Sequence, residues 1–444
     1  MAFNEGTRLP RETASKLGHL TVLESEWVSS LVQEFESTEA VTDDPSQTEW
    51  LQLETEATPL RNIWAVDGSY VTVASTGRPP KEVSFIKTAL LTIDRTRLAA
   101  IDNTHPHPLL LRDVMTGSAV FHATVLPLKN VRTPKGTNYE AVRQIVRDSI
   151  RIDEQGAFFE TLKWLAYSKW ACTQTPSPQF SCPHCANEDA ILPANADESA
   201  CPCCGGTIFL TDMLGFHLDM GEDSAPDAVA AAYMLTMETL MLFTAVRLLW
   251  HYSDKRAVSE ALFIKDGPLT LRGQYSKLVP NIRAFLQHAK LVGRPVHLLG
   301  QEKSGAFVDH LSSIANYAPP EERGGAPSVY VLSHDYVRRE VHRSPEQASP
   351  YGSRTNWGEK VYVKFAPGTH LVLSVPTGAY DPSGNFPTAD DLIGLDRILA
   401  TLPSLLSHRF EGALFPIELA NGIASMSSYP SSRILSAYLD EVSR

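Results

Sequence analysis

Five of the six cysteines of this 444-residue chain fall between positions 182 and 204, as Cys182-Pro-His-Cys185 and Cys201-Pro-Cys-Cys204. Two CxxC turns separated by fifteen residues suit four thiolates around one tetrahedral Zn²⁺, and Gly205-Gly206 supplies the tight turn a second knuckle needs. Residues 182–204 are therefore constrained to close on themselves. Cys203 could replace Cys204, and His184 is a rival ligand. Cys172, outside the cluster, is expected to be a buried free thiol. A four-Cys site is coordinatively closed, so its expected role is folding or docking, not catalysis. Clustering of this kind also argues against a disulfide framework and for a reducing compartment, hence an expected cytoplasmic location.

Charge divides the chain unevenly. Residues 1–60 hold twelve Asp or Glu against Arg8, Arg11 and Lys16, a net of −9, which leaves −3 of the total −12 for the other 384 residues. The near-neutral body does not exclude an anionic substrate, but a nucleic-acid binder would need a local basic groove. The longest apolar stretch, Met234 to Trp250, contains Thr, Glu and Arg and is short for a membrane span, so no membrane association is expected. The first residues lack the apolar core of a signal peptide.

The periodicities predict an acidic helical segment over 1–60, with Thr38 to Glu49 as a link. Strands are expected at Ile63–Val66, Phe85–Ile93 and Ala119–Leu126, then helices over 138–156 and 158–171. A zinc-ribbon insert is expected at 176–212. After it come a long helix from Pro226 to Tyr252, a buried strand at Ala261–Ile264 and a helix from Leu278 to Leu291. Further strands are expected at 296–299, 329–332, 361–365 and 370–375, with helices over 390–407 and 431–442. The class is α/β: a first core part at 61–175 and a second at 213–444, interrupted by the insert.

Two of the apolar runs stop at Asp-Gly: Ile63-Trp64-Ala65-Val66-Asp67-Gly68-Ser69 and Leu262-Phe263-Ile264-Lys265-Asp266-Gly267-Pro268-Leu269. Asp-Gly is a common hairpin turn. It is also a way to hold a carboxylate rigidly at a strand end, where glycine lets a phosphate approach. Two such strands side by side bring two acids to one edge, an arrangement that holds hard divalent metals for phosphoryl chemistry. A phosphatase or phosphotransferase fits this spacing as well as a nuclease.

On the helix around Met234 to Trp250, Glu238 falls in the middle of an apolar side. A carboxylate there is costly unless it is paired or binds a cation. Glu238 is therefore a third candidate metal-facing acid, with Glu260 as a weaker rival.

Taken together, these residues resemble the NurA nucleases. The resemblance rests on Val66-Asp67-Gly68-Ser69, Met237-Glu238, Ile264-Lys265-Asp266-Gly267-Pro268-Leu269, Gly300-Gln-Glu-Lys303-Ser304-Gly305 and Phe415-Pro416-Ile417-Glu418-Leu419-Ala420-Asn421. It covers about residues 60–430. It implies an RNase H-like mixed sheet flanked by helices, a homodimer, and a HerA-like hexameric ATPase as partner. It also implies Mn²⁺- or Mg²⁺-dependent cleavage of DNA, as a 5′–3′ exonuclease, a single-strand endonuclease or both, in end processing or defence. Asp67, Glu238 and Asp266 match the metal-binding acids, and Lys303 matches a lysine that meets the phosphate. Relatives usually carry His where this chain has Asn421, and Asn cannot shuttle a proton near neutral pH. A catalytically weak subunit that regulates such a ring is the alternative. His408 and His334 are candidate substitutes.

Other residues have two readings. Arg143, Arg147 and Arg151 share a helix face that is either solvated or in contact with DNA. Lys129, Arg132 and Lys135 suggest a mobile basic loop that tracks a phosphate backbone, and Arg338, Arg339 and Arg343 form a third basic cluster. His105 and His107 read as an extended loop, and Trp64 and Trp357 as packing.

Overall fold

In a computed structural model of the protein, the apolar runs assemble into a nine-stranded mixed sheet. The structure describes residues 22, 24–36, 49–53, 56–99, 119–153, 155–319, 326–343, 350–365, 369–407, 409–410, 412–426 and 429–442. The chain divides into two compact units, Met1–Asp44 and Pro45–Arg444. Within the first, helix α1 spans Glu26–Glu36. His105, His107 and His408, and the expected link after Thr38 up to residue 48, lie outside the described residues.

The sheet contains β1 (Leu51–Gln52), β2 (Asn62–Ala74), β3 (Glu82–Asp94), β4 (Ala119–Lys129), β7 (Ala261–Asp266), β8 (His297–Glu302), β9 (Ser328–Val331), β10 (Glu359–Phe365) and β11 (Thr369–Val375). Two short strands, β5 (Glu198–Ala200) and β6 (Thr207–Phe209), pair separately in the cysteine insert. The sheet order is β1-β9-β10-β11-β8-β7-β2-β3-β4. β2 runs antiparallel to β3 over its whole length and parallel to β7, and β7 runs parallel to β8. β2 is rich in β-branched and aromatic residues and alternates its side chains between two covered faces, which favours a central strand.

One face carries Trp64, Val66, Phe263 and Leu298. It is covered by α2 (Asn138–Ser149), α3 (Ala157–Ala166), α4 (Asp227–His251) and α5 (Val279–Leu291). The other carries Ile63, Ala65, Leu262, Ile264 and Leu299 under α7 (Leu395–Thr401) and α8 (Phe415–Ala424). Each fully buried Leu or Phe in these layers contributes about 1.5–3 kcal/mol.

By length and composition α4 could cross a membrane, but it is apolar on nearly every side because it packs inside the fold. A capping box starts α2: the Thr137 hydroxyl accepts the Glu140 N–H, and the Glu140 carboxylate accepts the Thr137 N–H. The helix expected over 138–156 ends at Ser149. The helix expected over 390–407 is α helix only to Thr401 and then tightens into a 3₁₀ turn. Among the helices absent from the sequence reading are α6 (Ala306–Ile314) and α8.

Candidate metal and active sites

Register places the two Asp-Gly pairs side by side. Val66 of β2 lies opposite Lys265 of β7, so Asp67 and Asp266 are neighbours on parallel strands. The two pairs have different conformations. β7 does end at Asp266, and Gly267 turns out of the sheet at φ +78°, a region that favours glycine. β2 does not end at Asp67: it continues to Ala74, so Asp67-Gly68 is an interior strand pair. Gly68 is required by close approach. A Cβ there would lie 2.6 Å from Met234 Cγ and 2.8 Å from Glu238 Oε1.

Alternation along the strands separates the charges. Gly68 faces α4, so Asp67 faces the α8 layer, as does Ser69, whose hydroxyl donates to the Ala424 carbonyl at 2.6 Å. Lys265 points toward α4 and Asp266 toward the Asp67 side. On the α4 face, Lys265 Nζ lies 2.6 Å from Glu238 Oε2, and both side chains are buried. Lys265 also donates to the Asp266 carbonyl at 2.8 Å. The apolar position of Glu238 is therefore compensated by an internal lysine. Burial still pushes the Glu238 carboxyl up, and Lys265 opposes that. The other rival, Glu260, forms a two-pronged ion pair with Arg397 at the opposite end of β7, about 20 Å away at ~3.3 Å per residue.

Asp67 is the strained member of the group. Its Oδ1 accepts the Gly68 N–H at 2.7 Å. Its Oδ2 is buried and makes no hydrogen bond of normal geometry, although the Asn421 amide is close enough to lower the carboxyl's pKa. Burial, then the charges of Asp266 and Glu238, raise that pKa to about 7 against the opposing pull of Asn421 and Lys303. Lys303 Nζ lies 2.9 Å from Asp266 Oδ1 at the rim. A buried carboxylate that faces like charges and has only Asn421 near its second oxygen suits a cation. The set is not drawn tight: among the described residues, the cysteine quartet is the group of three or more ligating side chains whose atoms all lie within 4.8 Å of one another.

Beside this rim is a cavity of about 520 Å³ lined by Lys303, Arg409, Phe410, Glu418 and Asn421. A second, of about 290 Å³, adjoins Lys303 from the β8–β11 side. Asn421 reaches the rim from α8, the helix missing from the sequence reading. The Pro at its start and its strongly apolar turn Ile417-Glu418-Leu419-Ala420 were signals for it. His334 does not reach the site. It is buried in the β9–β10 layer with Nε2 3.1 Å from Glu359 Oε2.

The cysteine insert is a preformed centre. Cys182 and Cys204 Sγ atoms lie 3.9 Å apart, as do those of Cys185 and Cys201. Four sulfurs ~2.3 Å from a tetrahedral Zn²⁺ would stand about 3.8 Å from one another. The quartet uses Cys204, not Cys203, and the His184 ring instead hydrogen-bonds the Thr207 carbonyl at 2.8 Å. Cys201 is pulled down to about 7, first by the Cys204 N–H. Cys172 is exposed, contrary to expectation.

The arginine row of α2 faces this insert. Arg143 clamps Asp212 through two bonds of 2.7 Å, with both side chains nearly buried. Arg147 meets Glu198 at 2.5 Å and Arg151 meets Asp197 at 3.1 Å. Arg143 and Arg147 also stack on Phe209, and Arg151 on Phe159. These cations fasten the insert, so they are neither a solvated face nor a free nucleic-acid surface. Of the other basic groups, Lys129 pairs with Glu82, Lys135 with Asp148 and Arg338 with Asp335. Trp357 is buried and Trp64 stacks on Phe263, as packing residues do.

No family model and no curated protein matches the chain. Among solved structures, NurA with manganese aligns over 97% of this chain and 98% of its own at 11% identity and a TM-score of 0.29. NurA bound to dAMP and manganese aligns over 96% of each chain at 10% identity and a TM-score of 0.26. Values at these levels establish neither a shared fold nor a shared activity.

Proposed function

We propose that this protein is a metal-dependent nuclease of the NurA type that hydrolyses phosphodiesters of DNA. The observation that carries the reading is the convergence of Asp67 and Asp266 on adjoining parallel strands, with the Asp67 carboxyl buried beside like charges. The central strand order β4-β3-β2-β7-β8, three antiparallel strands followed by two parallel to β2, supports an RNase H-like core.

In this reading Asp67 and Asp266 would hold Mn²⁺ or Mg²⁺, while Glu238, expected as a third ligand, is paired with Lys265 on the α4 face. When bound, such ions lower the pKa of an attacking water and stabilise the departing oxygen. Lys303 orients the scissile phosphate at the rim. Asn421 would donate a hydrogen bond to the phosphate or ligate the ion, and it cannot itself take up a proton near neutral pH. Cys182, Cys185, Cys201 and Cys204 hold a structural Zn²⁺. The resemblance adds a homodimer, a HerA-like hexameric ATPase as partner and cytoplasmic action on DNA ends, with 5′–3′ exonuclease or single-strand endonuclease polarity.

The test is cleavage of end-labelled DNA with Mn²⁺, Mg²⁺ or EDTA. Loss of the ion's site removes several kcal/mol of transition-state stabilisation. Asp67→Ala is therefore expected to lower the rate more than about 10³-fold. Undiminished cutting by Asp67→Ala sinks the proposal. The alternative, a weak or inactive regulatory subunit, is favoured by the Lys265–Glu238 pair and by Asn421. It predicts Mn²⁺ binding too weak to detect and no cleavage even with the ATPase and ATP.

A further inference from the structure

Two of the three cations of the basic loop after β4 have ion-pair partners in the fold. Lys129 and Lys135 are neutralised by their ion pairs, and Arg132 is left. The fold supplies it with new companions. The Asn130 amide donates to the Pro80 carbonyl at 2.8 Å, which ties this loop to the β2–β3 hairpin. Arg78 and Lys81 of the hairpin and Arg132 of the loop then line one concavity of about 990 Å³. Among the described residues, none of these three side chains has an ion-pair partner.

The concavity already accommodates an anion. Helix α9 (Ser431–Val442) inserts Asp440 into it, and the Asp440 carboxylate accepts the Thr76 N–H at 2.9 Å and the Thr76 hydroxyl at 3.0 Å. A backbone N–H and a hydroxyl aimed at one anion, in a concavity that three uncommitted cations also line, is how proteins hold phosphate oxygens without reading sequence. From Asp67, β2 runs seven residues to Ala74 at its hairpin end, or about 23 Å at ~3.3 Å per residue. That spans about seven phosphates at 3.4 Å per phosphate along one strand of a duplex.

We infer that this concavity is a second nucleic-acid site, which binds backbone phosphates about seven nucleotides from the cleavage centre, with Asp440 occupying the anion position until a phosphate displaces it. The identity of the ligand rests on the nuclease reading; the anion site itself does not.

The test uses the full chain in EDTA and measures anisotropy of a fluorescent 20-base-pair duplex across a salt series. Each phosphate contact contributes about 0.9 to the slope of log affinity against log salt. The triple variant Arg78→Ala/Lys81→Ala/Arg132→Ala is expected to have a slope shallower by about two to three, with an unchanged Tm. Asp440→Asn is expected to bind about two- to fivefold tighter, the range of one exposed charge interaction. Hydrolysis of bis(p-nitrophenyl) phosphate with Mn²⁺, a diester too small to span the distance, should be the same in parent and triple variant. An unchanged slope overturns the inference whatever the hydrolysis shows. So does loss of poly-glutamate binding with DNA binding intact, which assigns the site to an acidic polypeptide. A shallower slope with no diester hydrolysis by any version keeps this site and removes the nuclease.

Discussion

The two candidate metal centres are built in opposite ways. The cysteine quartet comes from 23 consecutive positions, and its sulfurs already stand near tetrahedral spacing. The carboxylate centre draws on β2, β7, α4 and the segment after β8, and its acids repel one another. A soft structural site can be closed before a metal arrives, because thiols are small and uncharged when protonated. The carboxylate cluster is instead open and electrostatically unbalanced, which is the imbalance that the proposed ion would relieve. The contrast separates a centre that stabilises the fold from one that the fold must tolerate.

The comparison would break first at the cysteines. Cys201→Ser should lose the expected single zinc per chain by elemental analysis and lower the Tm sharply, because structural zinc contributes folding free energy. A variant with full zinc and an unchanged Tm would remove the site's structural role. Next, Arg143→Ala leaves Asp212 buried and unpaired, at a cost of about 3–5 kcal/mol in urea unfolding. It should nevertheless retain zinc, which would separate the fastening of the insert from its metal chemistry.

At the carboxylate centre the sign reverses. The Asp67 carboxyl is raised to about 7, so the folded protein holds a proton that the unfolded chain releases from about pH 4 upward. Stability should fall as pH rises from about 4 to 7 and then level off. Asp67→Asn removes that penalty. At pH 8 it should be more stable than the parent without metal, on the order of 2–4 kcal/mol, with no difference near pH 4. Mn²⁺ should raise the Tm of the parent and not of the variant. A destabilised Asp67→Asn protein at pH 8 would show that the site is not strained. The smallest expected effect is Gly68→Ala, which overpacks the contact with Met234 and Glu238 by about 1–3 kcal/mol. A neutral result there would mean that α4 can move away from β2.

Much of this was legible because it is local. The strands at Phe85, Ala261 and His370 and the long helix before β7 follow from spacing and periodicity, and the structure has them within a few residues, whereas the strand at Ile63 runs eight residues past its expected end. Proximity of Asp67 and Asp266 followed from two similar strand ends. What could not be read depended on distant partners. Nothing near Arg143 in sequence signals Asp212, 69 positions away. The Asp67-Gly68 pair resembles a turn until α4 is packed against it. Nothing in the sequence singled out Lys265, and its burial against Glu238 arises only from the parallel register and the helix above it. α8 was missed because ten residues, with Asn421-Gly422 in the last turns, give a weak helical period.

The alternation on β7 has a consequence for folding fidelity. Lys265 and Asp266 are adjacent and carry opposite charge to opposite faces. A slip of β7 by one residue would exchange them, as it does every side chain on a strand. In one direction Asp266 would be driven under α4 against Glu238, and in the other Lys265 would take the place of Asp266 beside Asp67. Two buried carboxylates without a cation cost several kcal/mol. The pair therefore proofreads the pairing of β2 with β7, which apolar runs on both faces would police only weakly. Charge, more than hydrophobicity, fixes the alignment on which the proposed chemistry depends.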